Sequence, residues 1–133
     1  MKRKLLLVED NRDFAEVIRK NFETQGWSVI HLGDGTQTLK VAREERPDAI
    51  LLDIFLPEMD GFTALKTLKS KMDPETKEPS TVCNIPTVVM TGKAPMMEEM
   101  ARFEGACEFV TKPVDFAALV KKIENIVRQK KGT

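Results

Sequence analysis

The sequence predicts a doubly wound α/β domain, one five-stranded parallel sheet with five flanking helices. Three observations predict it. Five short apolar runs are spread along the whole chain. Stretches with apolar residues three and four apart, the stripe of an amphipathic helix, lie between and after them. The runs are apolar at nearly every position, as strands covered on both faces must be. Right-handed crossovers between parallel strands then force helices onto both sides of the sheet.

The elements follow in order. Lys4-Leu5-Leu6-Leu7-Val8 is the first strand and runs into Glu9-Asp10. Phe14, Val17, Ile18 and Phe22 mark the first helix, and Gly26 can take the left-handed cap behind it. Ser28-Val29-Ile30-His31-Leu32 is the second strand and ends in a plain glycine turn. A second helix is expected over about residues 36–45, with Leu39 and Ala42 inward, stopped by Arg46-Pro47. Ala49-Ile50-Leu51-Leu52 is the third strand and runs into Asp53. After the turn Pro57-Glu58-Met59-Asp60-Gly61, Phe62, Leu65 and Leu68 mark a third helix. Residues 70–84, rich in Lys, Pro, Asp, Glu, Ser and Thr, are expected to form an extended, solvent-exposed loop. Thr87-Val88-Val89-Met90 runs into Thr91 as the fourth strand. Pro95 suits the first turn of a fourth helix closing at Gly105. Glu108-Phe109-Val110-Thr111 is the fifth strand and runs into Lys112-Pro113. Asp115 is a good N-cap for a last helix burying Phe116, Leu119, Val120, Ile123 and Val127.

Bulk properties narrow the function classes. A chain of 133 residues is expected to be a single domain with a self-sufficient core. Lys+Arg and Asp+Glu stand at 21 each, so no global charge recruits nucleic acid or a membrane surface. No run approaches the ~18 apolar residues of a membrane span. The N-terminal apolar stretch is too short for a secretory signal, and a cytoplasmic protein is expected. Cys83 and Cys107 have no metal-ligand spacing and read as reduced thiols. His31, the only histidine, reads as a partly buried strand residue. Met90, Met96, Met97 and Met100 read as core filling and a pliable partner surface. The basic Arg128-Gln129-Lys130-Lys131 reads as a solvated helix end, favoured there by the helix dipole.

The polar residues at the strand ends carry the functional reading. Open α/β sheets bind their ligands beyond the C-terminal ends of the strands. Neighbouring parallel strands would gather Glu9, Asp10, Asp53, Thr91 and Lys112 in one crevice. Taken singly, each has a plain alternative: first-turn acids for Glu9-Asp10, a solvated cap for Asp53, a loop start for Thr91, an exposed charge for Lys112.

Taken together, Val8-Glu9-Asp10, the block from Leu52-Asp53 through Met59-Asp60-Gly61, Thr91-Gly92, Gly105-Ala106 and Phe109-Val110-Thr111-Lys112-Pro113 resemble the receiver domains of bacterial two-component response regulators. The likeness covers nearly the full chain. It implies a flavodoxin-like, chemotaxis-receiver-like fold with strand order 2-1-3-4-5, an order that comes with the resemblance rather than from the residues. Three clustered carboxylates raise one another's pKa, and a divalent cation relieves this. Hard oxygen ligands with few protein contacts suit Mg²⁺. In such a site Asp53 can attack a phosphoryl group and carry it as an aspartyl phosphate. Lys112 supplies a point charge for the phosphoryl oxygens, Thr91 a hydroxyl, and Gly92 leaves the approach open.

The resemblance implies further that Asp10 and Asp53 ligate the metal, that Glu9 helps hold it, and that the Phe55 carbonyl completes the set. It implies a cis Lys112-Pro113 bond, and a switch in which Thr91 moves to the phosphoryl group and Phe109 swings inward. The face expected to change is helix 4, strand 5 and helix 5, around Met97, Met100, Phe109 and Lys121. Implied partners are a sensor histidine kinase or phosphotransfer protein as phosphohistidine donor, and a downstream protein target. Direct nucleic-acid or membrane binding by this domain is not expected, while a phosphorylation-dependent dimer stays open.

The chain reads as a signalling phosphoacceptor rather than an enzyme, either standing alone or as the receiver of a longer regulator with a separate output domain. Phe55 cannot orient a water by hydrogen bonding, so slow self-dephosphorylation is expected, unless Lys93 draws water in. An aspartate-nucleophile phosphatase would need an acid–base Asp where Phe55 stands. A flavin carrier would need a Gly/Ser/Thr phosphate loop where Glu9-Asp10-Asn11-Arg12-Asp13 is largely anionic.

Overall fold

Alternating side chains of one buried sheet build two cores, and this fixes the architecture. The computed structural model describes residues 2–56, 60–92 and 95–132. The strands are β1 (Lys4–Val8), β2 (Ser28–Leu32), β3 (Ala49–Asp53), β4 (Thr87–Thr91) and β5 (Glu108–Thr111). The helices are α1 (Arg12–Glu23), α2 (Thr38–Glu45), α3 (Gly61–Lys69), α4 (Pro95–Phe103) and α5 (Phe116–Gly132). All strand pairs are parallel, in the order β2-β1-β3-β4-β5. The predicted fold class and strand order both hold.

Successive strand side chains point to opposite faces. Leu6, Val8, Ile50, Leu52 and Val89 therefore pack with Leu39 and Ala42 of α2, Ala64, Leu65 and Leu68 of α3, and Ala101 of α4. Leu5, Leu7, Leu51, Val88 and Met90 pack on the other face with Ala15, Ile18 and Phe22 of α1 and Leu119, Val120, Ile123 and Val127 of α5. Each fully buried Leu or Val contributes roughly 1.5–3 kcal/mol of transfer free energy. Trp27 caps the second core, edge-on to Phe22 at 5.3 Å between ring centroids, its Nε1 donating to Glu124 Oε2 at 3.2 Å.

Local signals set the ends. Asn11 Oδ1 accepts from the Phe14 amide at the start of α1, and Asp115 Oδ1 from the Ala118 amide at the start of α5. Gly26 (φ 90°) and Gly105 (φ 105°) take the left-handed conformation where α1 and α4 close. At Gly61 the reason for glycine is proximity: a Cβ there would run into the carbonyl of Asp53 and the Cα of Ile54. The first turn of α3 is thus seated directly on the end of β3.

Several expectations are corrected. α2 starts at Thr38, because Asp34 Oδ1 accepts from both the amide and hydroxyl of Thr36 and folds those residues into a turn. Val17 is exposed, since it lies off the face that Ala15, Ile18 and Phe22 bury. His31 is exposed rather than partly buried, and its Nε2 lies 2.7 Å from the Glu9 carbonyl oxygen. It sits on an edge strand, where one side of the chain faces water. The 70–84 stretch is mostly exposed but anchored: Val82 enters the core, Met72 bridges Pro79, and buried Asp73 pairs with Arg43 of α2 at 2.9 Å. The turn at Pro57-Glu58-Met59 and the reading of Lys93 lie outside the described residues.

Candidate phosphoacceptor site

The strand register delivers the site. Val8 of β1 pairs with Leu52 of β3, Asp53 with Met90 of β4, and Thr91 with Thr111 of β5. The residues just past these pairs, Glu9, Asp10 and Lys112, converge with Asp53 and Thr91 at one end of the sheet.

Glu9, Asp10 and Asp53 each bring a carboxylate oxygen within 4.8 Å of the other two. Glu9 and Asp53 are buried and Asp10 is exposed, so the cluster opens to solvent on the Asp10 side. Asp53 Oδ1 accepts from the Phe55 amide at 3.0 Å, which fixes the carboxylate at the end of its strand. Glu9 Oε2 accepts from the Asn11 amide at 3.0 Å. Lys112 Nζ donates to Asp53 Oδ2 at 2.9 Å and to Glu9 Oε1 at 3.1 Å, cross-linking β1, β3 and β5. Its ammonium also lies 4.6 Å from the Phe14 ring centroid, a cation–π contact that sequence reasoning missed.

Electrostatics follow from this crowding. Burial pushes the Glu9 carboxyl up to about 7, and the nearby negative charge of Asp53 adds to it, against the Asn11 amide and Lys112. The Lys112 ammonium is held above its usual value: burial opposes the charge, but its bonds to Asp53 and Glu9 outweigh that cost. One cation thus bridges two buried carboxyl groups, and Asp10 adds a third beside them.

The remaining candidates fall as follows. Thr91 is buried at the end of β4, and its carbonyl accepts from the Lys112 amide at 2.7 Å. A Cβ on Gly92 would meet open space. Phe55 reaches the site through its backbone amide, and the residue is largely exposed. Phe109 is buried, in the same core as Val89, Ala101 and Ala106. The Lys112-Pro113 bond is cis.

Comparison with known proteins decides the family. The response regulator receiver domain family matches residues 5–124. The chain belongs to this family. It is a receiver domain of the two-component response regulators, a family of signalling proteins. It is 32% identical to the polar-differentiation response regulator DivK of Brucella anthropi, over 94% of this chain and 96% of DivK. It is 29% identical to the response regulator MprA of Mycobacterium leprae, over 96% of this chain but 52% of MprA. The receiver chain spans about half the length of the first such curated relatives it matches. In structure it resembles the signal receiver domain of a signal transduction histidine kinase from Syntrophus aciditrophicus. The TM-score is 0.83 at 27% identity, covering 98% of this chain and 94% of that one. Among the described residues, no helix of this receiver is long and apolar enough to cross a membrane.

Proposed function

We propose that this receiver accepts a phosphoryl group on Asp53, from a phosphohistidine of a sensor kinase or phosphotransfer protein, and presents the modified domain to a downstream protein. The observation that carries the proposal is the Asp53 carboxylate, held at the C-terminal end of the central strand by one amide and one ammonium, with Glu9 and Asp10 beside it.

The three-carboxylate donor set fits Mg²⁺, a hard cation that takes oxygen ligands and keeps part of its water shell. Asp10 and Asp53 would hold it, with Glu9 supporting and the Phe55 carbonyl completing the protein ligands. When bound, the ion offsets negative charge on the transferring group. The protein's own residues do the rest. An Asp53 oxygen forms the bond to phosphorus as the bond from phosphorus to the donor nitrogen breaks, and the leaving imidazole keeps that electron pair. Lys112 already sits 2.9 Å from Oδ2 and lies ready for an incoming phosphoryl oxygen. Thr91 offers its hydroxyl to another. The new group carries roughly −1.5 to −2 charges, enough to draw Thr91 and Lys112 toward it. Phe109 would then respond to any movement of Thr91 at the end of β4.

Phe55 gives the site no side-chain donor to orient an attacking water, so the acyl phosphate should hydrolyse slowly. The decisive experiment is incubation with acetyl phosphate and Mg²⁺ followed by intact mass and a time course after the donor is removed. Wild type should gain one phosphoryl group that persists for minutes or longer, and Asp53→Asn none. Equal modification of Asp53→Asn would overturn the assignment of the acceptor.

A further inference from the structure

α4 and α3 leave an open seam that neither core nor site uses. Met96, Met100 and Phe103 of α4 stand at i, i+4 and i+7 and are 74%, 48% and 88% exposed. They form one apolar row, two turns and about 10 Å long. Met100 and Phe103 line a groove of about 490 Å³ whose other wall is Phe62 and Lys66 of α3, with Glu99 and Glu104 at its rim.

The opposite flank of α4 is polar. Arg102 Nη2 pairs with Glu108 of β5 at 2.6 Å and with Glu98 at 3.1 Å, and Phe109 is buried behind them. Met100 and Phe103 therefore face α3, while Met96 lies beside Glu98 and Arg102.

We propose that this α3–α4 groove docks an amphipathic helix of a partner protein, apolar along one seam and basic beside it. In helix-in-groove recognition an amphipathic helix lays its apolar face into an apolar groove, and Phe62, Met100 and Phe103 are the apolar side chains it would meet here. Methionine side chains adapt to varied apolar partners. Charge selects the basic flank. Among the described residues, the charged lining of the groove is Glu99 and Glu104 against Lys66. Lys66 pairs with Glu104 at 3.5 Å. Glu99 has no ion pair among the described residues, and a partner Lys or Arg would meet it.

The test needs neither Mg²⁺ nor a phosphoryl donor, so it succeeds or fails apart from the Asp53 reading. Three fluorescein-labelled peptides of equal length are titrated with the full chain and followed by anisotropy: an amphipathic Leu/Lys helix, its Leu/Glu counterpart, and a scrambled Leu/Lys sequence. The amphipathic Leu/Lys peptide should bind at least about tenfold tighter than the other two. Phe103→Ser and Met100→Ser should each cost about tenfold, the scale of an anchor residue. Glu99→Lys should weaken the Leu/Lys peptide and strengthen the Leu/Glu one. Lys121→Glu, on α5, should change nothing. Equal binding of the three peptides, or loss in Lys121→Glu but not Phe103→Ser, overturns the proposal. Sedimentation of the unliganded protein closes the alternative: a dimer that Phe103→Ser dissolves would assign the groove to a second copy instead.

Discussion

Lys112 shows how one side chain can serve two states. Its ammonium bonds the same Asp53 and Glu9 carboxylates that would hold a metal, so in the unmodified site it would compete with a cation for them. Removing it should separate metal binding from chemistry. Lys112→Ala should bind Mg²⁺ more tightly by calorimetry, since the acidic cluster loses its internal counter-charge. The same variant should react with acetyl phosphate about 10²-fold more slowly, because a preplaced charge on the transferring group is lost. Weaker Mg²⁺ binding in the variant would show that Lys112 shapes the cluster rather than competing for it. The acids and the lysine were legible in the sequence because each directly follows an apolar strand run. Phe14 beneath Lys112 was not, since a helix residue in an apolar stripe gives no sign of which cation it will meet.

Among the elements, the 70–84 segment departs furthest from expectation. Its composition predicted a solvated loop, and most of it is exposed. Asp73 nonetheless is buried, accepts from the Glu75 and Thr76 amides, and pairs with Arg43. Burial raises the cost of its charge, but those two amides and Arg43 together hold the carboxyl below the usual aspartate value. A depressed folded pKa means the tether is fully present above the unfolded value of about 3.9 and is lost as pH falls through the lower folded value. Asp73→Asn should lower the thermal midpoint at pH 7 and speed hydrogen exchange at the Lys77 amide, which bonds the Asp73 carbonyl. Wild type should keep its protection from pH 7 to 5 and approach the variant only in stronger acid. A difference between the two that stayed undiminished in strong acid would place the effect elsewhere. No local pattern could have announced this anchor, because Arg43 lies thirty positions away on α2.

At the scale of the whole molecule, the sheet separates sensing from support. The acidic crevice lies past the C-terminal ends of β1 and β3. Trp27, the only tryptophan, precedes Ser28, which pairs with Lys4 at the other end of β1. Five residues of strand place the two ends roughly 16 Å apart. Trp27 fluorescence should therefore report unfolding of the second core, yet stay unchanged when Mg²⁺ is added to the folded protein. A large Mg²⁺-induced change at Trp27 would mean that the two ends of the sheet are coupled.

Apolar runs and helical stripes determined the two-faced parallel sheet, because side-chain periodicity is a local property that burial must satisfy. The residues that end those runs determined which groups could meet, because parallel strands in register put their ends side by side. What only the tertiary structure decided is how those groups are paired: Lys112 between two acids and over Phe14, α3 pressed against Asp53 by Gly61, Asp73 held by Arg43, and an apolar seam of α4 left open toward α3. Each depends on distances between residues far apart in the chain, and those are set by packing rather than by any spacing along it.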